Sequence, residues 1–235
     1  MTSSRTEILA RIRRAQQQAF LPDVTGITPP PPQPPPFEMP LIDVFEEALM
    51  AVQGIPHRCS TAQEAAALIA ASCQKQGQSQ ALSWDPETLP LPGLTEALAD
   101  LGIELIPSHL GIERQQELNS LSPLRVGVTG AAAGLARTGS IVLHGDGHHG
   151  RLASLLPDIH LAILREEDIY PDIAAWIATD EAARKIAASS NTVIITGPSR
   201  TADIAQTLTL GAHGPRELHV IILQSEVRSP KSEPS

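Results

Sequence analysis

The run His160-Leu-Ala-Ile-Leu164 is a continuous apolar stretch of strand length. A strand with one wet face alternates polar and apolar residues, whereas a strand buried on both faces stays apolar throughout. Four further runs have the same character: Val126-Gly-Val-Thr129, Ser140-Ile-Val-Leu143, Thr192-Val-Ile-Ile195 and Leu218-His-Val-Ile-Ile-Leu223. Between and before them lie helical patterns over residues 168–178, 181–188, 94–101 (ended by Gly102), 61–75 and 41–52. The 61–75 segment opens on a Thr61 cap and continues as the strongly helix-forming AQEAAALIAASCQ. Residues 81–84 and 104–106 add two short strands. Short buried strands alternating with helices predict an α/β fold, a mostly parallel Rossmann-like sheet with helices on both faces.

Outward from that core the chain changes character. Residues 6–19 read as a short helix with Ile8, Leu9 and Ile12 on one face and Arg11, Arg13 and Arg14 around it. Residues 29–36 contain PPPPQPPP, an extended polyproline spacer. The last residues are polar and carry Pro230 and Pro234. The expected organisation is therefore a helix plus spacer over 1–40, an α/β domain over 41–225 and a polar tail over 226–235.

Composition sets the bounds on function. Hydrophobic residues make up 42% of the 235 and aromatics only 3%, so the core is Leu, Ile, Val and Ala. A net charge of −9 repels phosphate backbones and argues against a nucleic-acid partner. No apolar run approaches the ~20 residues that span a bilayer, and residues 1–20 lack the apolar stretch of a secretory signal. The expected location is cytoplasmic. Cys59 and Cys73 are the two cysteines and are expected as reduced, buried thiols. A four-thiolate iron–sulfur cluster cannot be completed by this chain alone, so no cofactor is expected on it.

Three glycine-containing turns carry the candidate chemistry. The first runs Thr129-Gly130 to Gly134 and on to Thr138-Gly139; the second is Thr196-Gly197-Pro198-Ser199-Arg200-Thr201; the third is Gly211-Ala-His213-Gly-Pro-Arg216-Glu217. In the second, Gly197 permits a tight turn and Ser199 or Thr201 caps a following helix. That geometry aims free backbone N–H groups at the carboxyl edge of a sheet, where an anion binds, and Arg200 adds a planar fork for a carboxylate. A plain capped helix start explains the same residues. His213, Arg216 and Glu217 bring a base, a cation and a carboxylate within five residues, suited to polarising a hydroxy- or oxo-acid; a structural ion pair is the alternative. If the second and third turns form one pocket, Arg200 reaches Glu217 or a shared ligand. The segment HGDGHHG offers His144, His148 and His149 as weak metal candidates, in a glycine loop without helical ligand spacing.

Three stretches, VGVTGAAAGLARTGSIVL (126–143), GRLASLLPDIHLAIL (150–164) and ITGPSRTADIAQTLTLGAHGPRELHVIIL (195–223), resemble the lactate-utilisation protein C family, also called the LUD domain or YkgG-like family. The resemblance implies a fold like that of NagB, ribose-5-phosphate isomerase and CoA transferases. It implies a cluster-free subunit in the oxidation of L-lactate to pyruvate, beside iron–sulfur partner subunits that hold the clusters. Such a subunit either binds a small anion such as lactate or docks those partners. A CoA-transferase-like or sugar-phosphate enzyme using Glu217 is the fold-level alternative. One departure stands out: members usually carry an acidic residue before Thr-Gly, where this chain has Arg137.

Overall fold

A computed structural model of the chain describes residues 4–18, 36–108, 114–202, 208–210 and 214–224. The chain divides into two units, Met1–Pro36 and Phe37–Ser235. The first contains helix α1 (Ser4–Gln18), with Ile8, Leu9 and Ile12 exposed. The second contains every other element. The spacer residues 29–35 and the tail lie outside the described residues.

The second unit begins with α2 (Leu41–Ala51), β1 (Ile55–Cys59), α3 (Ala62–Lys75) and β2 (Gln80–Ser83). It continues through α4 (Leu94–Asp100), β3 (Glu104–Pro107), α5 (Arg114–Leu121), β4 (Val126–Gly130), β5 (Ala133–Leu135) and β6 (Ser140–Gly145). Then follow α6 (Leu152–Leu155), β7 (Ile159–Arg165), β8 (Ile169–Tyr170), α7 (Ile173–Ile177) and α8 (Asp180–Ala188). The chain closes with β9 (Asn191–Ile195), β10 (Arg200–Ala202), β11 (Leu208–Leu210) and β12 (Glu217–Leu223).

Six strands form one parallel sheet in the order β1-β12-β7-β4-β2-β3. Helices flank it: α3 lies against the face bearing Leu161 and His219, and α6 lies over Gly127 on the other. The apolar runs occupy its centre, where Val126, Val128, Leu161, Ile163, Val220 and Ile221 are fully or almost fully buried. Buried beside them is one polar pair, Thr129 Oγ1 and His160 Nε2 at 2.8 Å. Full burial pushes the His160 imidazole down to about 3, with the nearby His219 adding to the effect, so it is neutral in the fold.

A second, four-stranded sheet has the order β8-β5-β6-β9. Its β5–β6 and β6–β9 pairs are antiparallel. Strand β6 is buried along its whole length: Ile141 and Leu143 join the main core, and Val142 packs with Trp176 and Ala182 of α7 and α8. Cys59 and Cys73 are both buried and unpaired.

Three local expectations are corrected. Residues 168–178 are not one helix, because Pro171 interrupts the run. Ile169 and Tyr170 instead pair with Gly134 and Leu135, and α7 starts afresh behind the Asp172 cap. The turn at Thr196 leads into the β10–β11 hairpin rather than a capped helix. Its feeding strand β9 belongs to the second sheet, so the turn does not lie at the carboxyl edge of the parallel one. Strand β1 was also invisible, since Pro56, His57 and Arg58 break the apolar pattern; it is an edge strand, where proline is tolerated.

The second sheet is fastened to the end of α2. Gly139 and Gly197 both have positive φ, at 60° and 75°. A Cβ on Gly139 would overlap the Leu49 backbone, and one on Gly197 the Val52 carbonyl. Gly139→Ala therefore meets both a φ penalty and a backbone clash, and should cost at least ~2 kcal/mol. The check is a lowered urea midpoint at unchanged slope. His160 sets a second expectation. Its folded pKa lies below the unfolded value near 6.5, so the unfolded state takes up the proton first as pH falls. Its contribution to stability is complete above pH 6.5 and is lost on acidification towards 3. Between pH 7 and pH 5 this amounts to about 2 kcal/mol. The protein should therefore lose that much more stability over the interval than a folded His160→Gln variant does. Parallel losses would show that His160 is charged in the fold.

Candidate functional site

The order of the parallel sheet determines where a ligand fits. From β2 the chain crosses outward to β3, then returns past β2 to β4, so the crossovers on either side of the β2–β4 pair diverge. In open parallel sheets the crevice at such a switch point, beyond the carboxyl ends of the strands, is the usual ligand position. A cleft of ≈ 560 Å³ lies there. Trp84 enters it just after β2, Gly130 and Ala131 at the end of β4, and Arg165, Glu167 and Asp168 after β7. The second sheet closes the far wall with His144, Asp146 and His149, and α8 contributes Glu181 and Lys185.

The histidine loop is held firmly. Asp146 Oδ1 accepts from the backbone N–H groups of His148 at 2.8 Å and His149 at 3.1 Å, a side-chain-to-backbone turn. Burial opposes ionisation of Asp146, but those amides and the His149 ring, whose Nδ1 lies 2.7 Å from Oδ1, outweigh it and lower its pKa. The His149 ring meets Trp84 edge to face at 4.4 Å between centroids. His148 turns outward to Asp85, at 3.4 Å.

His144 is the most constrained member of the wall. It is 8% exposed and stands directly opposite Thr192 in the β6–β9 ladder. Its Nδ1 is 3.1 Å from Thr192 Oγ1, while the buried Nε2 has no hydrogen-bond partner. Burial, then Lys185 and His149, push its pKa down against the pull of Asp146, so the imidazole stays neutral. Nearby, burial raises the Asp168 carboxyl, reinforced by Glu181 and Glu167 against Lys185 and Arg165. A hydrogen bond from Lys185, at 2.7 Å, lowers the Glu181 carboxyl. The cleft thus combines two cations, Arg165 and Lys185, with the carboxyl groups of Asp146, Glu167, Asp168 and Glu181 and the His144 imidazole, whose buried Nε2 is unpartnered. A smaller cavity of ≈ 160 Å³ shares Trp84, His144 and His149 with the cleft and is otherwise lined by Leu143, Leu155 and Val193 together with Arg151, Ser154 and Asn191.

The residues singled out from sequence fall into three places. Gly130, His144 and His149 border the cleft. Thr129, one residue earlier, faces the interior with His160. Thr138, Gly139, Gly197, Ser199 and Arg200 gather around the end of α2. There, Thr138, Ser140 and Thr196 form a chain of hydroxyl hydrogen bonds at 2.7 and 2.8 Å, and Arg200 Nη2 donates to the Val52 carbonyl. The second and third turns do meet, through Ser199 N–H and the Pro215 carbonyl at 2.8 Å. Their charged side chains diverge: Arg216 faces Asp158, and Glu217, at the amino edge of the sheet, pairs with Lys75 at 3.0 Å and His219 at 3.2 Å. His213 and the Thr201 side chain lie outside what is described. Arg137 lies over the Phe37 ring at 4.6 Å and 3.7 Å from Asp172, a packing role. Among the described residues no three His, Cys, Asp or Glu side chains converge as metal ligands, and no helix is long and apolar enough to cross a membrane.

Sequence reasoning missed Trp84, Arg165, Asp168, Glu181 and Lys185. The signal for Arg165 and Asp168 was present: a charged run, Arg165-Glu166-Glu167-Asp168, closes an apolar strand.

The LUD domain profile matches residues 42–223, and the chain belongs to that family. It is similar to the Escherichia coli protein YkgG, at 33% identity over 71% of this chain and 73% of that protein. It is also similar to lactate utilization protein C of Deinococcus radiodurans, at 30% identity over 59% of this chain and 60% of that one. The chain spans between 57% and 65% of the length of the first three curated relatives it matches. A crystal structure of a DUF162 family protein from Deinococcus radiodurans has the same fold, with a TM-score of 0.53 and 22% identity over 78% of this chain and 96% of that one.

Proposed function

We propose that the chain is the cluster-free component of an L-lactate utilisation system and that its switch-point cleft takes a small anionic ligand of that system. The names of the relatives supply the pathway. The observation that carries the site is the placement of Arg165, Lys185 and His144 around one cleft, in the crevice where a parallel sheet presents its ligand. A carboxylate between the two cations would be held by charge-assisted hydrogen bonds. The hydroxyl or oxo group would then face a neutral imidazole. Iron–sulfur subunits would act as the redox partners, because two buried cysteines leave this chain without the thiolates for a cluster.

Glu217 fits the transferase alternative less well. It sits at the opposite edge of the sheet, and its carboxylate is already engaged by Lys75 and His219. Burial raises its pKa, but those two hydrogen bonds outweigh this and hold it ionised.

A strain lacking this chain should fail to grow on L-lactate as sole carbon source and recover with the wild-type gene. The Arg165→Ala and Lys185→Ala variants should each weaken the ligand by about tenfold or more, a charge-assisted bond apiece, and together fail to restore growth while remaining folded. Growth of the deletion strain at the wild-type rate would remove the pathway assignment. Full complementation by the folded double variant would remove the cleft.

A further inference from the structure

We infer that Asp168 couples anion binding in the cleft to proton uptake: its carboxyl takes a proton from solvent as the ligand's carboxylate enters, which limits the site to acids that bring one negative charge. This deepens the preceding reading and rests on it for the presence of an anion in the cleft.

Charge is the first ground. The cleft is lined by two cations, Arg165 and Lys185, and by four carboxyl groups. Each cation already has a carboxylate beside it: Lys185 Nζ lies 2.7 Å from Glu181, and Arg165 lies 3.9 Å from Glu167. An entering carboxylate has to share those cations, and it adds to the negative charge of Asp146 and Asp168. Like charges that share a site are relieved when one of the groups binds a proton.

The second ground is which carboxyl can take that proton. Two backbone N–H groups and the His149 ring hold Asp146 ionised. A hydrogen bond from Lys185 does the same for Glu181. Glu167 is exposed to water, which screens it. Asp168 differs from all three. It ends the short turn Glu166–Asp168 after β7 and is half-buried. Among the described residues no hydrogen-bond donor reaches its oxygens. Burial, with Glu181 and Glu167, pushes its carboxyl up against the pull of Lys185 and Arg165. A further negative charge in the cleft acts in the same direction. Of its other neighbours on the cleft wall, the Tyr170 phenol stays protonated, raised by burial and then by Asp168 and Glu181, and burial keeps the His144 imidazole neutral.

Once protonated, Asp168 gains an O–H donor for the ligand carboxylate, and the net charge of the cleft is the same with the ligand as without it. A second carboxylate on the ligand would need a second proton, and no other carboxyl of the cleft is placed to take one. The ligand class is thus a monocarboxylate, such as a short 2-hydroxy acid, in preference to a dicarboxylate.

Calorimetric titration of the full chain with L-lactate, from about pH 6 to pH 8, tests the coupling. The acid is ionised throughout that range, so a change in affinity belongs to the protein. Affinity should fall by up to about tenfold per pH unit as the pH rises. Titrations in MOPS and in Tris, whose ionisation enthalpies differ, should show protons taken up on binding. Asp168→Asn keeps the shape and cannot take the proton; it should lose both the uptake and the pH slope. Wild-type protein should bind L-malate about tenfold or more weakly than L-lactate, and Asp168→Asn should narrow that gap. A slope that persists in Asp168→Asn would assign the proton to His144 or His149 and overturn the role of Asp168. So would a wild-type affinity independent of pH without proton uptake, a result that needs no variant to fold. Malate bound as tightly as lactate would overturn the limit on charge. Each of those results leaves an anion in the cleft. Absence of L-lactate binding at every pH would instead defeat the reading of the cleft itself, and this inference with it.

Discussion

Parallel strands cannot be joined by a hairpin; each needs a crossover that returns the chain to the starting edge. With six parallel strands, this molecule must send its connections over the faces of the sheet, and all of its strand ends of one polarity collect at one edge. The crossovers reverse direction once around the central strands, between β2 and β4. At that point the loops part instead of packing on each other. The cleft is the space they leave, so its position follows from strand order before any side chain is considered.

The second sheet turns that space into a walled site. Strand β6 is buried on both faces, which fixes its register against β5 and β9. A one-residue slip would carry His144 to the other face and leave Thr192 without its partner. The cost of leaving His144 Nε2 unpaired, on the order of 1–3 kcal/mol for a buried polar group, is tolerable because the surrounding strand core is continuous.

The fold was legible where burial dictates composition. The runs around Val128, Ile163 and Ile221 are apolar because both faces of the central strands are covered, and no turn chemistry is needed to identify them. Legibility failed at the margins. Strand β1 carries Pro56 and Arg58 because an edge strand has a free side, and β8 is two residues long because its partner β5 is only three. Neither generates a period that a sequence window detects.

The site was harder to read for a related reason. The densest motif, Thr196-Gly-Pro-Ser-Arg200, is specific because four constraints meet in one short turn. It has a positive φ at Gly197, a close approach to Val52, a hydroxyl chain to Ser140 and a carbonyl of α2 to satisfy. Those constraints concern how the second sheet is fastened to α2. A cleft at a strand edge imposes no comparable spacing, since Trp84, His144, Arg165 and Lys185 arrive from four separate segments and each need only be the right side chain at the end of its own element. Sequence density therefore marked the fastening, and the chemistry was scattered where only the strand order could assemble it. The one part of the site that was contiguous, His144 to His149, looked like a flexible loop because of its glycines. In the fold, Gly145 lies against the Asn191 side chain and Gly150 against Ser108, so those glycines admit close packing and make the loop a wall.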